Sequence, residues 1–327
     1  MGLLVEGKWQ DKWYDTEKSG GRFVRPETQF RSRVTADGSS GFKAEAGRYH
    51  LYVSYACPWA HRALIMRALK GLEDVISVSV VHWEMDDEGW RFDPSVPGAT
   101  PDHLYGFARL HQIYTKAKPD YTGRVTVPVL WDRKTETIVN NESAEIMRML
   151  NSAFDEVPGV RHPERDYYPA ALRKEIDRLN ERIYEAINNG VYKAGFATTQ
   201  AAYEEAFERL FDALDEIDAR LAGQRYLAGS RLTEADWRLF TTLIRFDAVY
   251  VGHFKCNRRR IADYANLSGY LRELYQEPGI RETVHFDHIK KHYYVSHRNI
   301  NPTGIVPKGP DLDLDAPHGR EPLEAVD

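Results

Sequence analysis

A chain of 327 residues with 42% hydrophobic and 28% charged residues has the length for two domains and can bury a core, which excludes overall disorder. A formal net charge of −5 gives no sign of nucleic-acid binding, and the run Arg258-Arg259-Arg260 is too short and isolated to change this. The two cysteines form no staple-like pattern, no secretory leader is evident, and no apolar run approaches the ~20 residues of a membrane helix. A soluble cytoplasmic protein without a membrane partner is therefore expected.

Along the chain, residues 1–46 are polar and rich in Gly, Arg and Thr, and they predict an irregular extension pinned to the body by its Trp and Phe side chains. The stretch "RYHLYVSY" then alternates like a strand and runs into Cys57. The following "PWAHRALIMRALKGLED" has helical spacing, with Pro58 suited to the first helical position. The β-branched "VISVSVV" predicts a second strand, which completes a β-α-β unit with parallel strands.

Residues 82–123 are long for one connection, and within them "PDHLYGFARLHQIYTKA" has helical apolar spacing. The stretches "VTVPVLWD" and "TIVNN" predict a hairpin, and a helix is predicted to begin at Glu142-Ser143. The resulting order β-α-β-α-β-β-α is that of a thioredoxin-like domain, which we assign to residues 47–156.

Beyond the Pro-, Gly- and His-rich break over 157–169, helical patterns dominate, and we assign residues 167–309 to an all-helical domain. Thr233 and Asp236 form a relative of the capping box, with a structural role. Residues 310–327 are acidic and predict a mobile tail. The helices are predicted at about 169–189, 200–222, 233–250 and 267–276.

Cys57 stands where a strand ends and a helix begins. A helix N-terminus presents unpaired N–H groups and the positive end of the helix dipole, which favour the nucleophilic thiolate over the thiol. The alternative is a buried structural cysteine. A dithiol oxidoreductase would have Cys-x-x-Cys here, whereas Ala60 occupies the second position. An external thiol must therefore resolve a mixed disulfide on Cys57, and glutathione is the natural candidate.

Two further features suit glutathione. The Val127-Pro128 bond matches the proline bond, usually cis, at which thioredoxin-like domains bind an extended thiol peptide as an added strand. An ordinary trans proline at a strand edge is the alternative. At Glu142-Ser143 a helix opens, so its N–H groups and the Ser143 hydroxyl suit a carboxylate, and Glu142 can accept the neighbouring ammonium. Taken alone, "ESAEI" is equally well explained as a plain helix cap.

The stretches "CPWAHR", "DDEGWRF", "GRVTVPVLWD" and "IVNNESAEI" together resemble the glutathionyl-hydroquinone reductases, the Xi class of glutathione transferases. The likeness extends through the helical region to "HYYVSHRNINPTGIVP" at 292–307. The Cys-Pro-Trp-Ala segment is shared with Omega-class relatives, so the specificity comes from its combination with the 82–123 insertion and "INPTGIVP". The resemblance implies a thioredoxin-like domain followed by an all-helical glutathione-transferase domain, and a homodimer.

The resemblance also implies the residues of the site. It makes Cys57 the nucleophile, with Arg124 near the glycyl carboxylate or peptide of glutathione and Trp90 packing over the ligand. It makes Tyr192 the proton donor and acceptor above the substrate ring. The full glutathione-binding set that it implies is Trp90, Arg124, Val127, Glu142 and Ser143.

The resemblance also implies roles for two more tyrosines. Tyr250 and Tyr293 are implied as hydroxyls that help to keep Cys57 ionised, and the neighbouring Tyr294 leaves the register of Tyr293 open by one residue. A chain with 19 tyrosines offers no compositional reason to select these positions.

The implied reaction is the reduction of a glutathionyl-hydroquinone to a hydroquinone. Cys57 thiolate attacks the glutathionyl sulfur of the substrate, and a second glutathione, the co-substrate, releases glutathione disulfide from the mixed disulfide. Because an aryl carbanion is a poor leaving group, the ring is expected to tautomerise first to a ketone, with Tyr192 moving the proton.

Three other functions remain as alternatives. One is an Omega-like thiol transferase or deglutathionylase. Another is a conjugating glutathione transferase, which would use a Ser or Tyr hydroxyl to hold the glutathione thiolate. The third is a non-catalytic module. His285, His288 and His292 fall on one helical face, but no carboxylate or thiol pattern completes a metal site, so no metal is predicted.

Overall fold

The computed structural model describes residues 2–324, which form two compact units. The predicted extension over residues 1–46 is divided between the two units, and residues 282–304, predicted to belong to the helical domain, are part of unit 1. Unit 1 contains the residues up to Trp13, Pro26–Asp166 and Glu282–Gly304, and unit 2 contains Tyr14–Arg25, Tyr167–Arg281 and the residues from Ile305 onward.

Every strand of the described residues lies in unit 1. In chain order the strands are β1 (Leu3–Val5), β2 (Lys8–Gln10), β3 (Val34–Thr35), β4 (Phe42–Lys43), β5 (Tyr49–Val53), β6 (Ser77–Val80), β7 (Met85–Asp86), β8 (Gly89–Trp90), β9 (Gly123–Arg124), β10 (Val129–Asp132) and β11 (Thr137–Asn140).

The α-helices are divided between the units. Helices α1 to α3 and α9 belong to unit 1, and α4 to α8 belong to unit 2. In chain order the α-helices are α1 (Pro58–Leu69), α2 (Leu110–Ala117), α3 (Ser143–Ser152), α4 (Arg173–Ile183), α5 (Gly190–Gly195), α6 (Gln200–Leu221), α7 (Glu234–Arg245), α8 (Leu267–Gln276) and α9 (Phe286–Ser296). Short 3₁₀ turns cover Ala170–Leu172, Ile261–Asp263 and Arg281–Thr283, and π-helical segments cover Tyr184–Asn188 and Phe246–Tyr250. No helix of residues 2–324 is long and apolar enough to span a membrane.

The central sheet of unit 1 has the strand order β11-β10-β5-β6. Strands β5 and β6 are parallel, and β10 is antiparallel to both β5 and β11. All five residues of β5 are buried, as expected for an inner strand covered on both faces. The β-α-β-α-β-β-α order predicted from the sequence is confirmed, and with it the thioredoxin-like fold of this unit.

Helix α2 is shorter than its sequence pattern predicts, because it begins only at Leu110. Before it, the Asp102 carboxylate accepts the backbone N–H groups of Leu104 and Phe107, both at 3.1 Å, and the Tyr52 hydroxyl at 2.9 Å. A short acidic side chain that bonds nearby N–H groups competes with the helical ladder. The apolar spacing before Leu110 therefore belongs to a folded loop.

The helices of unit 2 follow the predicted pattern except for two π-helical interruptions and the short helix α5, which was not predicted. The predicted helices over 169–189 and 233–250 each end in a π-helical segment. The capping box of α7 is confirmed, since the Asp236 carboxylate accepts the Thr233 N–H at 2.8 Å. It also accepts the Tyr270 hydroxyl at 2.7 Å, so that one buried carboxylate fixes the start of α7 against α8.

The predicted mobile tail, 310–327, is packed in its described part, while its last three residues lie outside the described range. Arg320 is only 4% exposed. Its guanidinium bonds the Leu221 carbonyl at 3.3 Å and forms an ion pair with Glu273 at 3.0 Å. The prediction of a mobile segment is therefore wrong for residues 310–324. Their acidic composition suggested mobility, but the one arginine among them is buried against α6 and α8.

Candidate active site

Cys57 is the N-cap residue of α1, directly after the loop that follows β5. Its backbone is extended, and its Sγ accepts the N–H of Ala60 at 3.5 Å. The side chain is half-buried, and its S–H donates to the carbonyl oxygen of Val127 at 3.6 Å. The sulfur therefore has an N–H donor at the helix start, which favours the thiolate, while the Val127 carbonyl accepts the proton of the neutral thiol.

Val127 reaches Cys57 because of the sheet register. The Val127-Pro128 peptide bond is cis, as predicted, and the alternative of a trans bond is wrong. Strand β10 starts one residue later, with Val129 opposite Tyr52 of β5. The carbonyl of Val127 thus lies beside the loop that carries the thiol.

The start of α3 holds Glu142 and Ser143. Glu142 is the N-cap, and its carboxylate accepts the Ala144 N–H at 3.2 Å and the Thr28 hydroxyl at 3.3 Å. Ser143 is buried, and its hydroxyl accepts a hydrogen bond from Arg62 of α1 at 3.3 Å. Glu142 therefore caps α3, and the buried guanidinium adds positive charge next to the Ser143 hydroxyl.

Arg62 is a site residue that the sequence does not reveal. It is 1% exposed, and its guanidinium lies 4.6 Å from the Trp59 ring. Its contact with Ser143 joins the N-terminal half of α1 to the start of α3 across 81 positions of sequence. The one available signal is its place five residues after Cys57, within the motif that opens α1.

Trp90 and Arg124 lie on the short strands β8 and β9. Trp90 is buried and stacks on the His292 ring, with 4.9 Å between centroids and an interplanar angle of 23°. Arg124 pairs with Leu3 of β1, and its guanidinium donates to the Lys12 carbonyl. Both residues are thus fixed by segments far from them in sequence.

Tyr293 belongs to α9 in unit 1, the unit that also holds Cys57 and the five predicted glutathione-binding residues. It is 1% exposed, and its ring lies 5.2 Å from His292 and 5.5 Å from His297. The neighbouring Tyr294 is buried as well, so burial does not distinguish the two registers.

Tyr192 and Tyr250 belong to unit 2. Tyr192 lies 6.1 Å from Tyr250 between ring centroids, and Tyr250 stacks on Phe254 at 5.5 Å. The Arg25 guanidinium lies 5.0 Å above the Tyr192 ring. Arg25 and Phe254 were not predicted, because neither lies in a recognisable motif.

The three histidines around α9 each have a partner of their own. His285 stacks on Tyr55 at 3.6 Å, His288 bonds the Pro97 carbonyl at 2.7 Å, and His292 bonds the Trp83 carbonyl at 2.8 Å. Within residues 2–324, no three or more His, Cys, Asp or Glu side chains are grouped in a way that would hold a metal ion.

Cys256 is a contrast to Cys57. It is fully buried in unit 2, and burial raises the pKa of its thiol well above the ordinary value. Neither cysteine forms a disulfide. Buried thiols of this kind are chemically inert.

A thioredoxin-like unit with a cysteine at its first helix, followed in the chain by a helical unit, has the architecture of a glutathione transferase. Family models agree with this class. The glutathione S-transferase N-terminal domain matches residues 56–153, and the glutathione S-transferase C-terminal domain matches residues 200–273.

Individual relatives narrow the class. Glutathionyl-hydroquinone reductase YqjG of Escherichia coli K12 is 59% identical over 98% of this chain and 99% of its own. The glutathione-bound structure of that protein superposes with a TM-score of 0.90 at 57% identity, covering 98% of this chain and 99% of the other. A Xi-class glutathione transferase from Natrialba magadii gives a TM-score of 0.93 at 52% identity, covering 100% of this chain and 98% of the other. The chain belongs to the glutathionyl-hydroquinone reductases, the Xi class of glutathione transferases.

Proposed function

We propose that this enzyme reduces glutathionyl-hydroquinones to hydroquinones, with glutathione as co-substrate, through a mixed disulfide on Cys57. The observation that carries the proposal is the position of Cys57 at the start of α1, 3.6 Å from the Val127 carbonyl. Ala60 takes the place of a resolving cysteine, and Cys256 is fully buried in the other unit. A sulfur captured by Cys57 must therefore be released by a thiol from solution.

The proposed glutathione site uses the same surroundings. The backbone of Val127, next to the cis proline, pairs with the extended cysteinyl part of the tripeptide. The start of α3, with Ser143 and Glu142, receives the γ-glutamyl carboxylate and ammonium. Arg124 binds the glycyl end, and Trp90 packs over the ligand.

The reaction proceeds in two sulfur transfers. Cys57 thiolate forms an S–S bond with the glutathionyl sulfur while the ring carbon–sulfur bond breaks, and its electron pair stays on the ring, which takes up a proton. The ring is thereby reduced, and Cys57 and the glutathionyl group are oxidised to a mixed disulfide. A glutathione thiolate then attacks this disulfide, which gives glutathione disulfide and regenerates Cys57.

In this scheme the tyrosines transfer a proton on the substrate ring and stabilise the Cys57 thiolate. Tyr192 shifts a proton between ring oxygen and ring carbon, so that the departing charge is an enolate rather than an aryl carbanion. Tyr250 and Tyr293 donate hydroxyls that keep Cys57 ionised. A reducing cytoplasm suits an enzyme that depends on a reduced thiol, and we propose a homodimer there, as the family resemblance implies.

The first test follows the adduct on Cys57. Incubation with a glutathionyl-hydroquinone should give a glutathione adduct at Cys57 by peptide mass spectrometry, together with released hydroquinone. Cys57→Ala should lose both, and the matched control Cys256→Ala should keep both because Cys256 is inaccessible. Conjugation that survives in Cys57→Ala would favour a conjugating transferase, and absence of adduct and turnover in the wild type would favour a non-catalytic module.

The second test separates the reductase from an Omega-like deglutathionylase. Tyr192→Phe should slow hydroquinone release by ~10²–10⁴-fold, the usual contribution of general acid–base catalysis. Removal of glutathione from a simple mixed disulfide needs no ring proton and should change little. Equal loss in both assays would contradict the role proposed for Tyr192.

A further inference from the structure

Trp9, in β2 of the N-terminal extension, contacts the β7–β8 hairpin. Its indole N–H donates to the Asp87 carbonyl, in the turn of the hairpin, at 2.7 Å. Its ring stacks on His111 of α2, with 5.2 Å between centroids and an interplanar angle of 24°. One side chain therefore bonds the hairpin and packs on the helix that follows it.

The fit of the indole against the hairpin is close. A Cβ on Gly89 would lie 2.6 Å from Cη2 of Trp9, well inside van der Waals contact. Gly89 also has a φ of +80°, which L side chains rarely adopt. Any other residue here would have to displace the indole and adopt a strained backbone, so the position of Trp9 and the path of the hairpin depend on each other.

The next residue of the hairpin is Trp90, which pairs with Met85 across it. The rest of the hairpin is held by charge. Arg109 donates to Asp86 at 2.6 Å and to Glu88 at 2.8 Å. Burial raises the pKa of the Asp86 carboxyl, but the hydrogen bonds from Arg109, the Glu88 N–H and Arg91, together with the charge of Arg109, outweigh burial and hold this pKa below its usual value.

The same extension reaches the second proposed ligand residue. Strand β1 pairs with β9, with Leu3 opposite Arg124. The Lys12 carbonyl, three residues beyond Trp9, accepts the Arg124 guanidinium. Strand β9 leads within three residues to Val127. Residues 2–13 thus touch the supports of Trp90 and of Arg124, and the strand that leads to Val127.

We propose that residues 2–13 are a structural part of the glutathione site, and that Trp9 is a positioning residue for glutathione binding. Trp9 acts through Asp87 and Gly89 to fix Trp90, and Lys12 fixes Arg124. The inference rests on the proposed glutathione-binding roles of Trp90 and Arg124. It assigns a binding function to a segment that lies outside both matched transferase domains.

The test measures binding of S-methylglutathione, which carries the charges of the tripeptide without a competing thiol. Isothermal titration calorimetry on the full chain should show Kd raised about 10-fold in Trp9→Ala, below the ~10²-fold that a 1 Å misplacement can cause. Trp9→Phe keeps a ring but loses the N–H donor and should give a smaller rise. Lys8→Ala, whose side chain is exposed on the same strand, is the matched control and should bind like the wild type.

Two further measurements identify the cause. The alkylation rate of Cys57 without ligand should be unchanged in the Trp9 variants, and KM for glutathione should rise more than kcat falls. Gly89→Ala, which disturbs the same contact from the hairpin side, should weaken binding in the same direction.

The outcomes are distinguishable. Suppose that the wild type binds S-methylglutathione and that Trp9→Ala and Trp9→Phe fold and bind it equally tightly. This inference is then overturned, while the proposed reductase function stands. If Trp9→Ala does not fold, Trp9→Phe and Gly89→Ala decide by the same criterion. A wild type that fails to bind S-methylglutathione would overturn the proposed function itself.

Discussion

At the residue scale, the contact between Arg62 and Ser143 joins α1 to the start of α3 at the position proposed for the γ-glutamyl carboxylate. The guanidinium is almost fully buried and donates to the Ser143 hydroxyl, which leaves that hydroxyl able to donate its own proton. Burying a charge is costly unless it is hydrogen-bonded, so the position of Arg62 is tightly constrained. A hydroxyl held in this way suits a carboxylate ligand.

The role of Ser143 can be measured directly. Ser143→Ala should raise the Kd of S-methylglutathione ~10- to 150-fold, since a hydrogen bond to a charged group contributes ~1.5–3 kcal/mol. Ser152→Ala, at the exposed end of the same helix, is the matched control and should bind like the wild type. Unchanged affinity in Ser143→Ala would remove Ser143 from the proposed γ-glutamyl site.

Sequence alone could predict the site residues whose chemistry is local. The strand-Cys-Pro-helix order placed Cys57 at a helix start, and the Val-Pro pair indicated the cis bond. Arg62, Arg25 and Trp9 could not be predicted in this way, because their significance lies in contacts with residues 78 to 167 positions away. Such contacts leave no periodic signal in the chain.

At the element scale, the pairing of β5 with β6 contains a titratable group with no access to solvent. His50 of β5 is fully buried, and its ring nitrogens bond the Ser77 and Ser79 hydroxyls of β6 at 2.7 and 2.8 Å. Burial lowers the pKa of His50 from 6.5 to about 3, and the positive charges of His103 and Arg133 add to the effect. The neutral ring is therefore part of the folded sheet.

This arrangement predicts acid sensitivity with a defined sign. Between pH 6.5 and about 3 the unfolded chain binds a proton at His50 that the folded chain does not, so stability falls as the pH falls through this window. Urea unfolding at pH 7, 6, 5 and 4 should give a shallower decline in the free energy of unfolding for His50→Gln than for the wild type. His162→Gln, at a more exposed position, is the control and should follow the wild-type slope. Parallel slopes for His50→Gln and the wild type would show that His50 takes up its proton over the same pH range in the folded and unfolded chains, which would contradict the lowered pKa.

Helices and strands could be predicted where burial follows a regular period, and less well where a side chain hydrogen-bonds the backbone and changes its path. The alternating and helical patterns identified β5, α1 and α3. They overextended α2, because the Asp102 carboxylate organises the preceding residues as a loop. The π-helical segments that follow α4 and α7 were likewise not predicted, since one five-residue segment is too short to change the apolar pattern recognisably.

At the scale of the whole molecule, the chain order does not follow the spatial units. Residues 282–304 come after all the helices of unit 2 and belong to unit 1, where α9 supplies His292 to the Trp90 stack. Residues 305–324 then belong to unit 2. Local periodicity does not indicate which spatial unit a distant segment joins. The predicted domain boundaries therefore followed the sequence order.

Residues 305–324, which belong to unit 2, are expected to contribute measurably to the stability of that unit. Arg320 donates to the carbonyls of Leu221, Gln224 and Arg225 at the end of α6, and pairs with Glu273 of α8. Arg320→Ala leaves those buried acceptors without this donor. Breaking a buried ion pair costs ~3–5 kcal/mol. Because Glu273 keeps its bond to Arg225, we expect Arg320→Ala to lower the free energy of unfolding by about 3 kcal/mol, the low end of this range.

The matched control uses an arginine that contacts the same segment at the surface. Arg281 pairs with Asp315 at the surface, where both side chains are more than half exposed. Exposed pairs contribute ~0–1 kcal/mol, so Arg281→Ala should change urea unfolding little. A small effect of Arg320→Ala, comparable with that of Arg281→Ala, would mean that the segment follows the helices of unit 2 without stabilising them. The expected large difference would show that burial of one guanidinium, rather than the acidic composition of the tail, determines its order.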